Sequence, residues 1–570
     1  MENWVIGLQA VSDPTVLLLI VAGVLIGIVV GALPGISATV GVAILLPFTF
    51  VMEPLQGMML LLGIYGGAVY AGSIPAILVK TPGTPASAAS VADGHAMTVK
   101  GQANRALKVS ILASCLGGIF GVIVLALMAP VLATIALGFG PAAYFMLALL
   151  ALTVVASVSE GRMVKGLISG VLGVGIAMIG LDTIQGFPRL TFGSAELTAG
   201  INYIPVMIGL FAVSEALIQF EAKSKLKLDV VTEKFKASLS WLAKISPSGL
   251  LGSVVGFIIG VIPGTGGDIG AFVAYNEAKR VAKDKSKFGR GDERGLAAAE
   301  SAKNAGTAGA MVPMLTLGIP GDVTSAVLIG AITVHGLQPG PNLFSGAPDL
   351  VYGIFIGFLI VYLLLLILGW AGTGLWSKLI ERVPSSYLWP SVIVLAVIGC
   401  YSLRSSAFDV LVMVVSALVG YVMVKAGFPL APLIIGMILG PIAEAGFRRA
   451  MIIEGDLSWV FSPLPLTLLI LTLLSVGFAI WREIGHHRSI TETMGPDSPS
   501  TTKSPSSTES PSGHDGQTTD RDALQAASTR GSASPVPGTR AHRESDAGVS
   551  GGGATSSESS GADQQPERST

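Results

Sequence analysis

Long apolar segments recur along the first 483 residues of the chain. They include residues 14–33, 109–136, 351–372 and 464–480. A helix needs about 20 apolar residues to cross the ~30 Å hydrocarbon core of a bilayer. The pattern therefore predicts an all-α polytopic membrane protein. The composition agrees with this, because 12% of the residues are charged, whereas soluble proteins contain about 25%.

The charge of the connecting segments predicts how the chain is oriented. Three segments are rich in Lys and Arg: 93–108, 221–244 and 276–295. Three others contain neither residue: 1–13, 51–57 and 336–350. Because cytoplasmic loops of membrane proteins carry the excess of Lys and Arg, we expect a multi-pass protein of the cytoplasmic membrane. Its N-terminus is predicted to lie outside and its C-terminal tail inside.

Two apolar segments are predicted to form re-entrant hairpins. Segment 249–275 is flanked by basic segments, so it enters and leaves from the cytoplasmic face, and it breaks at "GVIPGTGGDIG" (260–270). Segment 14–50 is flanked by segments without Lys or Arg, and it breaks at "GALPGISATVG" (31–41). Irregular backbone at membrane depth is tolerated only where protein or water satisfies its polar groups. The two tips are therefore expected to face a site rather than lipid.

The two halves of the chain carry a second pair of matching breaks. The sequence "PAILVKTPGTPAS" (75–87) aligns with "PMLTLGIPGDVTS" (313–325). Matching order, similar spacing and opposite loop charge predict an inverted repeat. Its parts are 1–220 as the first repeat, 221–248 as a basic cytoplasmic linker and 249–483 as the second repeat. In secondary transporters, paired breaks at corresponding positions mark the binding site near the membrane midplane.

The breaks present groups that suit an anionic substrate and a cation. Helix N-termini offer N–H donors and partial positive charge to carboxylates, and unwound carbonyl oxygens and hydroxyls suit Na⁺. A kink held by Ser or Thr explains any single motif, but four motifs in symmetric register favour a site. Asp268 and Asp322 are predicted within the membrane, where carboxyl groups are costly and mark function. Cation coupling and helix N-capping are equally supported for both.

Two further polar residues lie close to the breaks. Lys80 precedes the break at Pro82. It either neutralises a substrate carboxylate or extends its ammonium to the inner interface. Asn304 is a candidate polar ligand in the second half, whereas Lys303 beside it is interpreted as the end of the preceding basic loop.

Several other functions are disfavoured by the sequence. His95 and His335 are far apart without ligand-like companions, so no metal site is expected beyond a transported cation. Gly-rich runs do not follow strands, which argues against nucleotide cofactors, and no nucleic-acid partner is expected. Cys115 and Cys400 give no disulfide framework. Segment 484–570 is rich in Ser, Thr, Gly and Pro and has no aromatic residue, so a disordered cytoplasmic tail is predicted.

Four long motifs resemble the large membrane subunit of the tripartite tricarboxylate transporter (TctA) family. They are "GALPGISATVGVAILLPFTF", "GIYGGAVYAGSIPAILVKTPGTPASAASVADGHAMTVKGQANRALK", "GVIPGTGGDIGAFVAYNEAKR" and "SAKNAGTAGAMVPMLTLGIPGDVTSAVLIGAITVHGLQPGPNLF", within a likeness that covers residues 14–483. The resemblance implies an elevator-like inverted-repeat transporter rather than an enzyme. It implies two partners, a small four-helix membrane subunit and a periplasmic or lipoprotein solute receptor. It also implies cation-coupled uptake, usually with Na⁺, of organic carboxylates such as citrate and other tricarboxylates.

The family motifs also point to site residues by position. With Lys80 added, the substrate-binding candidates are Pro34, Gly35, Ser37, Thr39, Lys80, Pro82, Gly83, Thr84, Ser87, Gly264, Asn304, Pro320, Gly321 and Ser325. Asp268 and Asp322 are the candidates for coupling to Na⁺ or H⁺. At Lys80, many family members are expected to have Asn.

Two other functions stay open at this level. An intramembrane aspartyl-type enzyme is suggested by "GTGGD" and "GIPGD", which resemble the Gly-x-Gly-Asp element of such proteases. Those enzymes also need a Tyr-Asp motif on another helix, and no predicted span contains one. A passive anion channel is the other alternative, but paired broken helices with acidic tips fit occluded binding better.

Overall fold

Helices make up nearly all of the regular structure. The computed structural model describes residues 2–33, 35–158, 163–182, 184–221, 235, 237–373, 375 and 385–493. Within these ranges, eight helices are long and apolar enough to cross a bilayer by length and composition. The chain is therefore an all-α polytopic membrane protein, as its hydrophobic pattern predicts.

The elements of the first half follow one another with short connections. They are α1 (Glu2–Val11), α2 (Pro14–Ala32), α3 (Ala38–Leu45), a 3₁₀ turn (Leu46–Val51), α4 (Pro54–Ala71), α5 (Ser73–Val79), a 3₁₀ turn (Pro85–Ser87), α6 (Ala88–Val99), α7 (Ala103–Ala136), α8 (Pro141–Val158), α9 (Met163–Ala177), β1 (Gly180–Leu181), β2 (Pro188–Arg189), α10 (Ala195–Thr198), α11 (Tyr203–Met207), a π turn (Ile208–Val213) and α12 (Ser214–Glu221). Strands β1 and β2 pair antiparallel, with Gly180 opposite Arg189.

The second half repeats the order of the principal helices. Its elements are α13 (Leu239–Val261), α14 (Gly266–Val281), α15 (Glu293–Leu317), α16 (Val323–Val334), α17 (Leu343–Gly346), α18 (Pro348–Ala371), α19 (Ser385–Arg404), α20 (Ala407–Lys425), α21 (Ala431–Glu454), a 3₁₀ turn (Leu457–Phe461) and α22 (Pro463–Thr493). The hairpin α13–α14 corresponds to α2–α3. Helix α15 corresponds to α4 with α5, and helix α16 corresponds to the turn Pro85–Ser87 with α6.

Each predicted hairpin turns through the same backbone conformation. The C-cap residue of α2 is Leu33 (φ −85°, ψ 117°), and that of α13 is Ile262 (φ −76°, ψ 119°). Two residues later, Gly35 and Gly264 adopt φ of +90° and +82°, a region open mainly to glycine. Helix α13 begins at Leu239, so the last part of the predicted linker 221–248 belongs to the hairpin arm.

The second pair of breaks also matches in backbone conformation. The C-cap residues of helices α5 and α15 are Lys80 (φ 60°) and Gly318 (φ 71°), and both adopt the left-handed backbone conformation. The next backbone N–H in each case, that of Thr81 or Ile319, donates to the carbonyl of the proline that aligns in the two motifs. Lys80 thus occupies a position that favours glycine or asparagine.

Glycines bring each hairpin arm against the helix that follows the hairpin. On α2, Gly23, Gly27 and Gly31 face the carbonyls of Leu60, Ile64 and Ala68 on α4. On α13, Gly252, Gly256 and Gly260 face the carbonyls of Ala298, Ala302 and Gly306 on α15. A Cβ atom at any of these six glycines would lie 2.1–2.6 Å from the facing oxygen. Small residues at four-residue spacing allow this close approach in membrane helices.

The last helix extends into the segment predicted as the tail. Helix α22 continues to Thr493, beyond the predicted boundary at residue 484. The remainder of the predicted tail, 494–570, lies outside the described residues, as does most of the linker between 222 and 236.

Replacing Gly256 with alanine is expected to destabilise the fold. The new methyl group would lie 2.1 Å from the carbonyl oxygen of Ala302, so two backbones must move apart, at a cost of about 1–3 kcal/mol. Gly175→Ala is the matched control, because no atom lies within 4 Å of a Cβ there. Thermal unfolding of the purified protein in detergent measures both, and equal melting temperatures would contradict the close contact.

Replacing Lys80 with glycine is expected to stabilise the protein. A non-glycine residue in the left-handed region costs roughly 1–2 kcal/mol, and glycine removes this cost. The converse change, Gly318→Ala, adds the same strain and puts a Cβ 2.7 Å from the carbonyl oxygen of Pro339. A rise in melting temperature for Lys80→Gly and a fall for Gly318→Ala are expected; an opposite ranking would refute the assignment.

Candidate functional site

A cavity of about 440 Å³ lies where the two hairpin tips meet the two Pro-Gly breaks. Six of the residues singled out in the sequence line it: Ser37, Thr39, Thr84, Gly264, Asp268 and Asp322. Val155, Phe211 and Leu430 supply part of an apolar wall. The four motifs, which are far apart in the sequence, therefore form one site.

Four helical segments begin at the cavity. Helices α3, α14 and α16 and the turn Pro85–Ser87 that leads into α6 each place residues of their first turn in its wall. The first N–H groups of a helix have no partner within it, and they carry a partial positive charge. Their convergence makes the cavity favourable for an anion such as a carboxylate.

Each hairpin tip contacts the break of the opposite half. The hydroxyls of Thr39 and Thr324 are 2.8 Å apart. At the corresponding position, Asp268 Oδ1 accepts a hydrogen bond of 3.0 Å from the backbone N–H of Ala86. Thr39 aligns with Asp268, and Thr324 aligns with Ala86. Each tip therefore contacts the break of the other half at the same position. The second half uses a carboxylate where the first uses a hydroxyl.

Asp322 caps helix α16 and also accepts a hydrogen bond from the first half. Its Oδ1 accepts from the N–H of Ser325 at 2.7 Å, and the Ser325 hydroxyl accepts from the N–H of Asp322 at 2.8 Å. Tyr65 donates its hydroxyl to Oδ2 of Asp322. In the first half, the hydroxyls of Thr84 and Ser87 are 2.6 Å apart at the matching positions. Asp322 is thus the N-cap residue of α16, as one of the two interpretations of its sequence position predicts.

The other residues of the motifs shape the breaks behind the cavity wall. The N–H of Gly264 donates to the carbonyl of Gly321 at 2.7 Å, which joins the second tip to the second break. The N–H of Gly83 donates to the carbonyl of Gly72 at 3.0 Å. Gly35, Pro82 and Pro320 also lie in the turns of the tips and breaks. Ser87 ends the 3₁₀ turn Pro85–Ser87, and Ser325 lies in the first turn of α16. Pro34 lies outside the described residues.

Two candidates lie away from the cavity. Lys80 is exposed and is not part of the wall. Asn304 is fully buried within α15, where its Nδ2 donates to the backbone carbonyl of Glu300 at 3.0 Å. The structure therefore brings neither side chain into the cavity.

Sequence reasoning missed a buried charged pair beside the cavity. Lys303 lines the wall, yet its side chain is fully buried, and Nζ lies 2.9 Å from Oε2 of Glu300. Lys303 therefore does not belong to the basic loop but to the middle of α15. Opposite charges three residues apart on one helix are neighbours, and this spacing within an alanine-rich segment was the available signal.

Besides Thr265 and Thr307, sequence reasoning missed two polar wall residues, Tyr65 and Thr324. Tyr65 lies in the middle of α4 and Thr324 in the first turn of α16. Both side chains hydrogen-bond to a residue of the opposite half. Tyr65 bonds to Asp322, and Thr324 bonds to Thr39. No local pattern in the sequence points to these contacts.

Comparison with known proteins gives one family and two curated relatives. Residues 17–435 match the model of the "Tripartite tricarboxylate transporter TctA family". An "Uncharacterized 52.8 kDa protein in TAR-I ttuC' 3'region" of Agrobacterium vitis is 38% identical over 483 residues, which cover 84% of this chain and 95% of that protein. An "Uncharacterized protein in TAR-II ttuC' 3'region" of the same organism is 39% identical over 235 residues, 41% of this chain and 97% of the relative. No solved structure matches the chain.

The capping role of Asp322 predicts different effects for two substitutions. Asp322→Ala removes the acceptor for the Ser325 N–H and leaves the Tyr65 hydroxyl without its partner, so we expect a loss of about 1–2 kcal/mol. Asp322→Asn keeps a good capping oxygen and is expected to lose at most about half a kcal/mol. Thermal unfolding in detergent compares them, and an equal loss in both variants would mean that the charge, not the cap, stabilises this break.

Proposed function

Because the chain belongs to the tripartite tricarboxylate transporter TctA family, we propose that it takes up organic carboxylates together with a cation, Na⁺ or H⁺. It acts as the large membrane subunit of a secondary transporter that depends on a solute receptor. The family name supports a transport subunit rather than an enzyme. The substrate class, the coupling and the partners are parts of the proposal.

The observation that carries the proposal is the convergence of four helical N-termini on one cavity. Ser37, Thr84, Asp268 and Asp322 represent the four motifs in its wall. N–H donors and the positive ends of helices stabilise carboxylates without a fixed cationic group. A volume of about 440 Å³ lies within the range of small-molecule sites.

The two aspartates in the wall support the coupling to a cation. At an effective dielectric constant of about 20, two unit negative charges about 4 Å apart repel by roughly 4 kcal/mol. A substrate with several carboxylates would meet this repulsion at Asp268 and Asp322, which both line the cavity. Binding of Na⁺ to carboxylate, hydroxyl and carbonyl oxygens, or of protons to the carboxyls, removes it.

The hairpins support alternating access. The distribution of Lys and Arg predicts that the tip at Gly35 approaches from outside and the tip at Gly264 from the cytoplasm. Opening on one side then requires one repeat to move relative to the other. As in the family, the partners are a small four-helix membrane subunit and a periplasmic or lipoprotein solute receptor. The complex lies in the cytoplasmic membrane with the tail inside.

Uptake into vesicles or cells that contain all three components tests the function. Labelled citrate, other tricarboxylates and dicarboxylates are offered with and without a Na⁺ or proton gradient and with and without the receptor. We expect accumulation of at least one of these acids that requires a cation gradient and the receptor. Accumulation without any gradient would rule out coupled transport.

Two substitutions test the coupling residues within the same assay. Asp268→Asn and Asp322→Asn each remove one negative charge from the cavity, so we expect a weaker dependence of uptake on the cation concentration. Asp349→Asn, which changes an exposed carboxyl outside the cavity, serves as the control. Unchanged cation dependence in both cavity variants would show that neither aspartate couples the cation.

A further inference from the structure

One basic residue belongs to the wall of the cavity. Among the described residues that line it, Lys303 alone is Lys or Arg. Its side chain is fully buried within the helical domain. A buried ammonium is costly in a membrane protein and marks function by default. The exposed Lys80, which the sequence suggested as the neutralising group, is not part of the wall.

From this we propose that Lys303 is the cationic subsite of the cavity, which binds one carboxylate group of the transported acid, and that Glu300 holds its ammonium in position. The inference rests on the proposed function and names one recognition residue for it.

Glu300 is well supplied with hydrogen-bond donors besides Lys303. Its Oε1 accepts from the hydroxyl of Ser90 at 2.5 Å, and its Oε2 accepts from the hydroxyls of Ser110 and Ser114 at 2.9 and 3.0 Å. Three hydroxyls from α6 and α7 thus hold the carboxylate in place. The ammonium can therefore turn toward a second carboxylate without leaving Glu300 unpaired in the interior.

The ammonium retains capacity for a further acceptor. A lysine ammonium has three donors. Lys303 Nζ lies 2.9 Å from Glu300 Oε2 and donates to the hydroxyl of Ser73. Its third contact, with the carbonyl of Tyr70, is long at 3.5 Å. A substrate oxygen would replace a weak contact rather than a strong one.

The position of Lys303 places it between the two elements that Asp268 joins. Its partner Ser73 follows Gly72, where a Cβ would lie 2.9 Å from Cγ2 of Thr84 in the first break. On its other side, its carbonyl oxygen packs 2.5 Å from where a Cβ of Gly267 would lie, in the second tip. The ammonium therefore binds the residue next to Gly72, whose carbonyl accepts from the N–H of Gly83 in the first break.

A purely structural ion pair is the competing explanation. Paired buried charges can often be replaced together by neutral groups without loss of stability, whereas removal of one partner leaves an uncompensated charge. A structural pair therefore predicts that replacing both residues restores function. A binding lysine predicts that it does not.

The experiment compares Lys303→Met, Glu300→Gln and the double variant Glu300→Gln/Lys303→Met in the complete three-component system. The matched control is Lys80→Met. Citrate binding to the purified subunit is measured by calorimetry, and citrate and succinate uptake is measured as KM and maximal rate. Protein amount and thermal unfolding report folding. The double variant keeps the test decisive if Lys303→Met alone does not fold, because no unpaired charge remains in it.

We expect a dissociation constant or KM for citrate at least about tenfold higher in Lys303→Met and in the folded double variant, as the loss of one charge-assisted contact implies. Glu300→Gln is expected to raise the dissociation constant for citrate less than Lys303→Met does, because the ammonium remains but loses its charged partner. Lys80→Met is expected to match the wild type. Near-wild-type citrate binding in the folded double variant would overturn the inference while leaving the proposed function intact. If the wild type takes up none of the acids, both fall together.

Discussion

Close backbone contact between each hairpin arm and the next long helix is the constraint on which the site depends. Glycines at four-residue spacing, such as Gly27 on α2 and Gly256 on α13, let the helices approach without intervening side chains. Apolar burial does not drive helix association within lipid, so packing of small residues has to provide it. The contacts run in the same register in both halves, and each hairpin tip consequently ends beside a break.

The resulting site is symmetric in backbone and asymmetric in charge. The two tips and two breaks bring four helical N-termini to one cavity, an arrangement that favours anions before any side chain is considered. The second half adds the charged groups, Asp268, Asp322 and Lys303, whereas the first half offers the hydroxyls of Thr39 and Thr84 at the positions of the two aspartates. In the proposed mechanism, the first repeat mainly positions the substrate, and the second repeat carries the charges that couple it to a cation.

The parts of the architecture that depend on local sequence could be predicted. Proline and glycine mark the breaks, and their aligned order indicates the tips at Gly35 and Gly264 and the capping of α16 by Asp322. For the pair of Lys303 and Glu300, the three-residue spacing was the only local signal. Its burial could not be predicted from that spacing, because its environment comes from serines on α6 and α7. Tyr65 was missed for the same reason, since its partner is 257 positions away.

In the proposed mechanism, one cavity, formed by both tips and both breaks, binds the carboxylate substrate. A structure of the protein determined with citrate and Na⁺ tests it most directly. We expect citrate density within the cavity bounded by Ser37, Thr84, Asp268 and Asp322, with carboxylates at the helical N-termini and Na⁺ at oxygens of the tips and breaks. Citrate bound at another place, with this cavity empty, would contradict it.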